Sequence, residues 1–300
     1  MPVAQRFRVA TRGSEQAQAQ ATALARMLTE ATGIHAELVL IETMGDKVID
    51  RPISEIGGRG VFVKEVQRAV LDGRADLAVH SAKDLPSSFH AEGLVLAGVP
   101  ERGDARDALA GCRFHDLRLG ATVATGSQRR QAQLAALRPD LNFVGLRGNI
   151  PTRIARADHP HIDAIVVAVA GAKWVSLTHR LSHIFEVSDM VPQVGQGALA
   201  IECRIDDQRV RSAVALLEHG PSRLAVDAER SFLAQLGGGC ELPVGAHARI
   251  IDGAVHIDGL IASIEGTVLH RAQMCGVDAD LGARLARQLL AAGGDALLPS

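Results

Sequence analysis

The sequence predicts an α/β fold: two α/β lobes followed by a small α+β C-terminal domain. Three observations point there. Short apolar runs alternate with helical stretches up to residue 193, and the pattern restarts after Glu101-Arg102-Gly103-Asp104. Beyond Pro221, two alternating runs flank Asp252-Gly253, a strong hairpin turn. A chain of 300 residues with 47% hydrophobic and 22% charged residues can bury two or three cores and is not a disordered protein.

In the first lobe, Phe7 to Ala10 read as a strand leading through Thr11-Arg12-Gly13-Ser14 into a helix. Ala17, Ala21, Leu24, Leu28 and Ala31 give that helix its apolar face, and Gly33 ends it. Leu38 to Ile41 return as a strand running into Thr43-Met44-Gly45-Asp46. The loop Gly57-Gly58-Arg59-Gly60 is mobile by composition; a helix with Phe62, Val66, Ala69 and Val70 on one face follows, stopped by Gly73. Leu77 to Val79 form a short buried strand, and Pro86 prevents any regular element from running on. Strands alternating with helices predict a parallel-type sheet.

In the second lobe, Ala121 to Ala124 open into Thr125-Gly126-Ser127-Gln128-Arg129-Arg130 and a helix. Asn142 to Gly145 lead to Leu146-Arg147-Gly148-Asn149 and another helix, and Ala164 to Ala170 read as a buried strand ending at Gly171. Val191 to Gly197 look like a crossing back to the first half. In the last domain Ser222 is placed to cap a helix running to about Leu236. The hairpin, a strand around Val268 and a helix from Asp280 to Leu290 complete it.

Composition narrows the function. Net charge is -2, so no overall basic field argues for nucleic acid. No apolar signal core or membrane-length run occurs, which predicts a soluble, cytoplasmic protein. No Gly-Lys-Ser phosphate loop is present. Cys112, Cys203, Cys240 and Cys275 lack the paired spacing of zinc sites and are expected as free thiols. His179 and His183 could share a helix face, but no acidic helper completes a metal motif, and surface histidines are the expectation.

Lysine occurs at only four positions, Lys47, Lys64, Lys83 and Lys173, so positive charge is almost all arginine. Three loops share one design: a strand end, arginine with Ser, Thr or Gly, then a helix start. They are Arg12-Gly13-Ser14, Thr125-Gly126-Ser127 with Arg129 and Arg130, and Arg147-Gly148-Asn149 with Arg153. Helix starts offer unpaired N–H groups, and arginines beside them add charge-assisted bonds of roughly 1.5–3 kcal/mol each. Together they predict a ligand carrying several negative charges.

Two further features carry chemistry. Asp84 follows Val79-His80-Ser81-Ala82-Lys83, where a strand gives way to a loop. A carboxylate there can stabilise a developing positive charge or move a proton; a strand-end salt bridge or turn cap is the plainer reading. Gly237-Gly238-Gly239 precede Cys240 and leave it little side-chain cover, which suits a nucleophile or covalent anchor. Cys112, Cys203 and Cys275 instead fit small core residues.

These motifs occur in the order and spacing of one family: His-Ser-Ala-Lys-Asp ending at Asp84, Gly-Gly-Arg-Gly, Arg129-Arg130, Leu146-Arg147-Gly148-Asn149, Gly195-Gln196-Gly197 and Gly238-Gly239-Cys240. The chain resembles the porphobilinogen deaminase (hydroxymethylbilane synthase) family from about Arg8 to the final helix. The resemblance implies a transferase of tetrapyrrole (heme and porphyrin) biosynthesis that joins four porphobilinogen units head to tail, releasing ammonia each time. It implies a dipyrromethane cofactor held as a thioether on Cys240. It assigns cofactor and substrate binding to Arg12, Ser14, Ser81, Lys83, Thr125, Ser127, Arg129, Arg130, Arg147 and Arg153, and stabilisation of a cationic azafulvene to Asp84.

The family fold implies lobes like those of solute-binding proteins, with residues 1–99 and 199–218 in the first, 104–193 in the second, and 222–300 as the cofactor-carrying domain. It implies a monomer, no membrane or nucleic-acid partner, and a loop from Arg51 to Gly60 over the cofactor. Trp174 departs from the family, standing where a carboxylate-binding arginine is usual; Lys173 or Arg180 is the expected substitute. Gly126 for a frequent serine is the milder departure. A two-lobed anion-binding module and a catalytically impaired relative are the competing readings.

Overall fold

The chain's first strand, β1 (Phe7–Arg12), is seen here in a computed structural model that describes residues 6–43, 60, 63–86, 91–238 and 242–298. Ser14 caps α1 (Glu15–Thr32), and Gly33, at φ 70°, ends it by donating its N–H to the Thr29 carbonyl. The first lobe continues with β2 (Ala36–Ile41), α2 (Lys64–Leu71), β3 (Leu77–Ser81) and β4 (Leu94–Gly98). The second holds β5 (Asp107–Gly111), β6 (Thr122–Ala124), α3 (Gln128–Leu137), β7 (Asn142–Val144), α4 (Ile150–Ala155), β8 (Ala164–Ala168), α5 (Val169–Trp174) and β9 (Leu181–Ile184). β10 (Leu199–Arg204) and α6 (Gln208–Ala215) lead to α7 (Gly220–Gln235). The last elements are β11 (Val244–Ile251), β12 (Ala254–Ala262), β13 (Leu269–Gly276) and α8 (Leu281–Ala291).

Each lobe is built on a five-stranded sheet, ordered β2-β1-β3-β10-β4 in the first and β7-β6-β8-β5-β9 in the second. The small domain has its own sheet, β11-β12-β13. Neither lobe sheet is purely parallel. β1 runs parallel to β2 and β3, but β10 lies antiparallel between β3 and β4. Likewise β6 is parallel to β7 and β8, while β5 is antiparallel to β8 and β9. In each lobe four strands share one direction and a single strand, β10 in the first and β5 in the second, runs against them. β10 joins its sheet from far along the chain and β5 follows no helix, so strand–helix alternation gives no warning of either.

Both faces of the first sheet are covered. Phe7, Val9 and Leu77 pack with Leu24 and Leu28 of α1 and Val214 of α6 on one side. Ala10 and Ala78 meet Val66, Ala69 and Val70 of α2 on the other. Leu24 is fully buried, so Leu24→Ala would cost about 2–5 kcal/mol. In the small domain, Phe232 of α7 and Leu285 of α8 cover Val255, Ile257 and Ile261 of β12.

Three boundaries differ from the sequence reading. The strand expected over residues 164–170 ends at Ala168, because Val169–Trp174 turn helical. Ser222 is inside α7 rather than at its cap; His219 takes that role, its Nδ1 accepting the Ser222 N–H at 3.3 Å. His179 lies in a 3₁₀ turn and His183 in β9, so the pair shares no helix, and His183 packs against Phe114, His115 and Phe185. The Asp252-Gly253 turn is as expected, with φ of 50° and 79° joining β11 to β12 in register.

Two compact units comprise residues 1–102 with 198–223, and residues 103–197 with 224–300. The second lobe and the small domain thus belong to one unit.

Candidate functional site

In the first unit, β1 and β3 run parallel, so Arg12 and Ser81 end at the same edge of the sheet. The chain leaves β3 through a 3₁₀ turn, Ala82–Asp84, pinned by buried Ala82 and Leu85. Ala82 N–H donates to the Ala198 carbonyl at 2.9 Å, so the turn hangs from β10's neighbour in sequence. Asp84 keeps a 32% exposed side chain, with Oδ2 3.9 Å from Arg12 Nη1. Ser81 Oγ exchanges hydrogen bonds with the Gln20 amide at 3.2 and 3.3 Å. Gln20 is a buried residue of α1 that sequence reasoning missed; a polar residue on an otherwise apolar helix face was the available signal. Lys83 is half-buried between these groups in sequence.

In the second unit, the loops after β6, β7 and β8 all leave the same edge of the parallel strands. Thr125 is buried, and its Oγ1 accepts the Ser127 N–H at 3.2 Å. Ser127 caps α3 by accepting the Arg130 N–H, and Asn149 caps α4 by accepting the Thr152 N–H. Ser14 does the same for α1 through Ala17 N–H. All three cap side chains therefore accept from their own helices, which leaves the Ser14 and Ser127 O–H groups as donors, and α4 is only six residues long. Arg147 is exposed, while Arg153 Nε donates to the Gly148 carbonyl at 2.6 Å. A Cβ at Gly126 would stand 2.8 Å from the Leu146 carbonyl oxygen, so the serine frequent in the family needs a shifted loop here.

Arg129 and Arg130 are placed differently from the other arginines. Both are buried around Asp107, the first residue of β5. Arg130 donates through Nε and Nη2 to Asp107 Oδ1 at 3.0 and 2.7 Å, and through Nη1 to the Val166 carbonyl. Arg129 Nη2 is 2.8 Å from Asp107 Oδ2, an ion pair whose angle falls short of a hydrogen bond, and Nη1 donates to the Val191 carbonyl. Gln196 Nε2 adds a bond to Asp107 Oδ1 at 2.8 Å. Burial alone would raise the Asp107 pKa, but the two guanidiniums and the amide outweigh it and hold the carboxyl well below the usual range. Burial pulls Arg129 down against the same Asp107. These two arginines thus carry an internal counter-charge that sequence spacing did not disclose.

Trp174, the last residue of α5, is half-buried, and Lys173 beside it is exposed. Arg180 is engaged with Asp158 at 2.7 Å. At the other candidate site, α7 is closed by Gly237 and Gly238, whose N–H groups donate to Ala234 and Leu233 carbonyls with φ of 77° and 61°. Cys240, with Gly239 and Glu241, lies outside the described residues, as do Met44 to Arg59 and Phe62. Of the cysteines expected in cores, only Cys203 is buried; Cys112 is half-buried and Cys275 exposed. Cys275 points from β13, an edge strand whose residues alternate between exposed and half-buried.

Among the described residues no helix is long and apolar enough to cross a membrane, and no group of three His, Cys, Asp or Glu could hold a metal ion. Residues 7–212 match the family model "Porphobilinogen deaminase, dipyromethane cofactor binding domain", and residues 223–291 match "Porphobilinogen deaminase, C-terminal domain". The porphobilinogen deaminase of Trichlorobacter lovleyi is 42% identical over 98% of this chain and 96% of its own length. That of Nitratidesulfovibrio vulgaris is 44% identical over 97% and 95%. Among solved structures, a YaeC-family lipoprotein from Enterococcus faecalis matches at 13% identity and a TM-score of 0.41, over 72% of this chain and 92% of that one. At full length and at this identity, the chain belongs to the porphobilinogen deaminase family.

Proposed function

We propose that this protein is a hydroxymethylbilane synthase, a cytoplasmic, monomeric transferase that condenses four porphobilinogen molecules head to tail with loss of ammonia. The observation that carries the reading is the partly exposed Asp84 carboxylate at the end of β3, 3.9 Å from Arg12, within the segment matched to the cofactor-binding model. Each condensation forms a carbon–carbon bond from the aminomethyl carbon of porphobilinogen, expels ammonia and finally releases a ring proton.

The donor set suits a carboxylate-rich oligopyrrole. The family's pattern assigns Arg12, Ser14, Ser81 and Lys83 of the first unit, and Thr125, Ser127, Arg147 and Arg153 of the second, to cofactor and substrate binding. Arg129 and Arg130 are assigned to the same group by the family's pattern; with Asp107 between them, they act first by fixing the start of α3. A dipyrromethane held by Cys240 would supply the nucleophilic pyrrole carbon from which the oligopyrrole grows. Asp84 stabilises the cation left on porphobilinogen once ammonia departs, and takes the ring proton after coupling. Arg12, 3.9 Å away, helps to aim that carboxylate. Electrostatic help of this kind is worth about 3–4 kcal/mol.

Intact-mass measurement of the purified protein tests the reading. A covalent increment of two pyrrole units, lost in Cys240→Ser, with turnover of porphobilinogen, supports it. An unmodified chain from a host that makes porphobilinogen overturns it, and an increment without turnover marks an impaired relative.

A further inference from the structure

The small sheet sets one row of side chains across its three strands. Arg249 of β11 pairs with His256 of β12, and His256 pairs with Cys275 of β13. Directly paired residues share a face with Cβ atoms about 4.5–5.5 Å apart, so guanidinium, imidazole and thiol stand side by side. Cys275 Sγ lies 3.6 Å from His256 Nε2. β13 is an edge strand, Cys275 is exposed, and the Arg249 side chain is 54% exposed. The acid nearest the row is Asp258, already held by Gln273 and Arg271, and it lies 3.7 Å from Arg249.

The other two described thiols are poor nucleophiles. Burial pushes the Cys203 thiol up to about 11, and burial with Asp116 and Asp163 also raises Cys112. A thiol attacks a disulfide as its thiolate, so accessibility and a neighbouring base decide which cysteine reacts.

We propose that Cys275 is an S-thiolation site for small disulfides that carry carboxylates. His256 Nε2 takes the thiol proton as the Cys275 sulfur attacks one sulfur of the disulfide. The small molecule's S–S bond breaks, a new S–S bond joins half of it to Cys275, and the other half leaves as a thiolate that recovers the proton from the imidazolium. The disulfide is the only oxidant needed, and excess free thiol reverses the exchange. Arg249, two strand spacings or about 10 Å away, draws the anionic reagent to the row.

The holoprotein is treated with dithiodipropionate, an anionic disulfide, and separately with hydroxyethyl disulfide, a neutral one whose leaving thiol is of similar basicity; each rate is divided by that of the same reagent with free mercaptoethanol, and each cysteine peptide is followed by mass spectrometry. Cys275 is expected to react first. His256→Gln and His256→Asn should each slow Cys275 at least about threefold. Arg249→Gln, or about 0.5 M salt, should erase the preference for the anionic reagent. Labelling of Cys203 reports any variant that unfolds. The proposal is overturned if Cys112 or Cys203 keeps pace with Cys275, if both folded His256 variants react at the parent rate, or if the anionic disulfide has no advantage.

Discussion

Arg12 Nη1 lies 3.9 Å from Asp84 Oδ2, with both side chains partly open to solvent at the end of two neighbouring parallel strands. At that distance and exposure the pair contributes well under about 1 kcal/mol to stability. Its worth is in orientation, because Asp84 sits on a short turn and Arg12 is its side-chain partner among the described residues.

Asp84→Ala should therefore separate chemistry from folding. The rate of porphobilinogen consumption is expected to fall at least about a hundredfold. The melting temperature should stay near that of the parent. A variant that melts early, or one that retains most of its rate, contradicts the assignment.

Asp107→Asn should behave in the opposite way. Removing the charge leaves Arg129 and Arg130 buried without a counter-ion, at a cost of about 3–5 kcal/mol in denaturant unfolding. The pH dependence follows from the sign of the shift. Asp107 is depressed, so its contribution is complete above its unfolded value of about 3.9 and is lost as pH falls toward the lower folded value. Acid titration of stability should lose part of its slope below about pH 4 in the variant. Equal slopes in the two proteins would show that Asp107 is not linked to folding.

Trp174→Arg restores a cation where an indole offers one donor and no charge. The Michaelis constant for porphobilinogen is expected to fall, with Lys173 exposed beside it and Arg180 already paired to Asp158. An unchanged or higher constant refutes the idea.

Gly282→Ala tests the packing of the small domain. A Cβ there would overlap the Ala228 carbonyl oxygen of α7 and stand 2.6 Å from Ser231 Oγ. Separation of the two helices should cost about 1–3 kcal/mol, read as a lower midpoint in urea.

Local signals in the sequence carried the elements whose causes are local. Ser14, Gly33 and the Asp252-Gly253 turn act on their own few residues, and each stands where its chemistry placed it. The order of strands in each sheet was less legible, since β10 enters the first sheet from far along the chain and runs antiparallel. The same limit applies to the arginines. Arg129 and Arg130 looked like Arg147 on paper, but their partner, Asp107, is brought to them only by the folded second lobe. Cys275 resembled a core residue because an edge strand's outward face is not marked in composition.

Glu229, on the helix that precedes Cys240, is fully buried, and its two oxygens accept N–H groups from Gly195 and Ala248 at 2.7 Å each. The next residue along, Gln196, reaches Ala105 and Asp107. The small sheet is thereby stitched into the second lobe by polar links that no solvent replaces. Heat should therefore melt the small sheet and the second lobe in a single step.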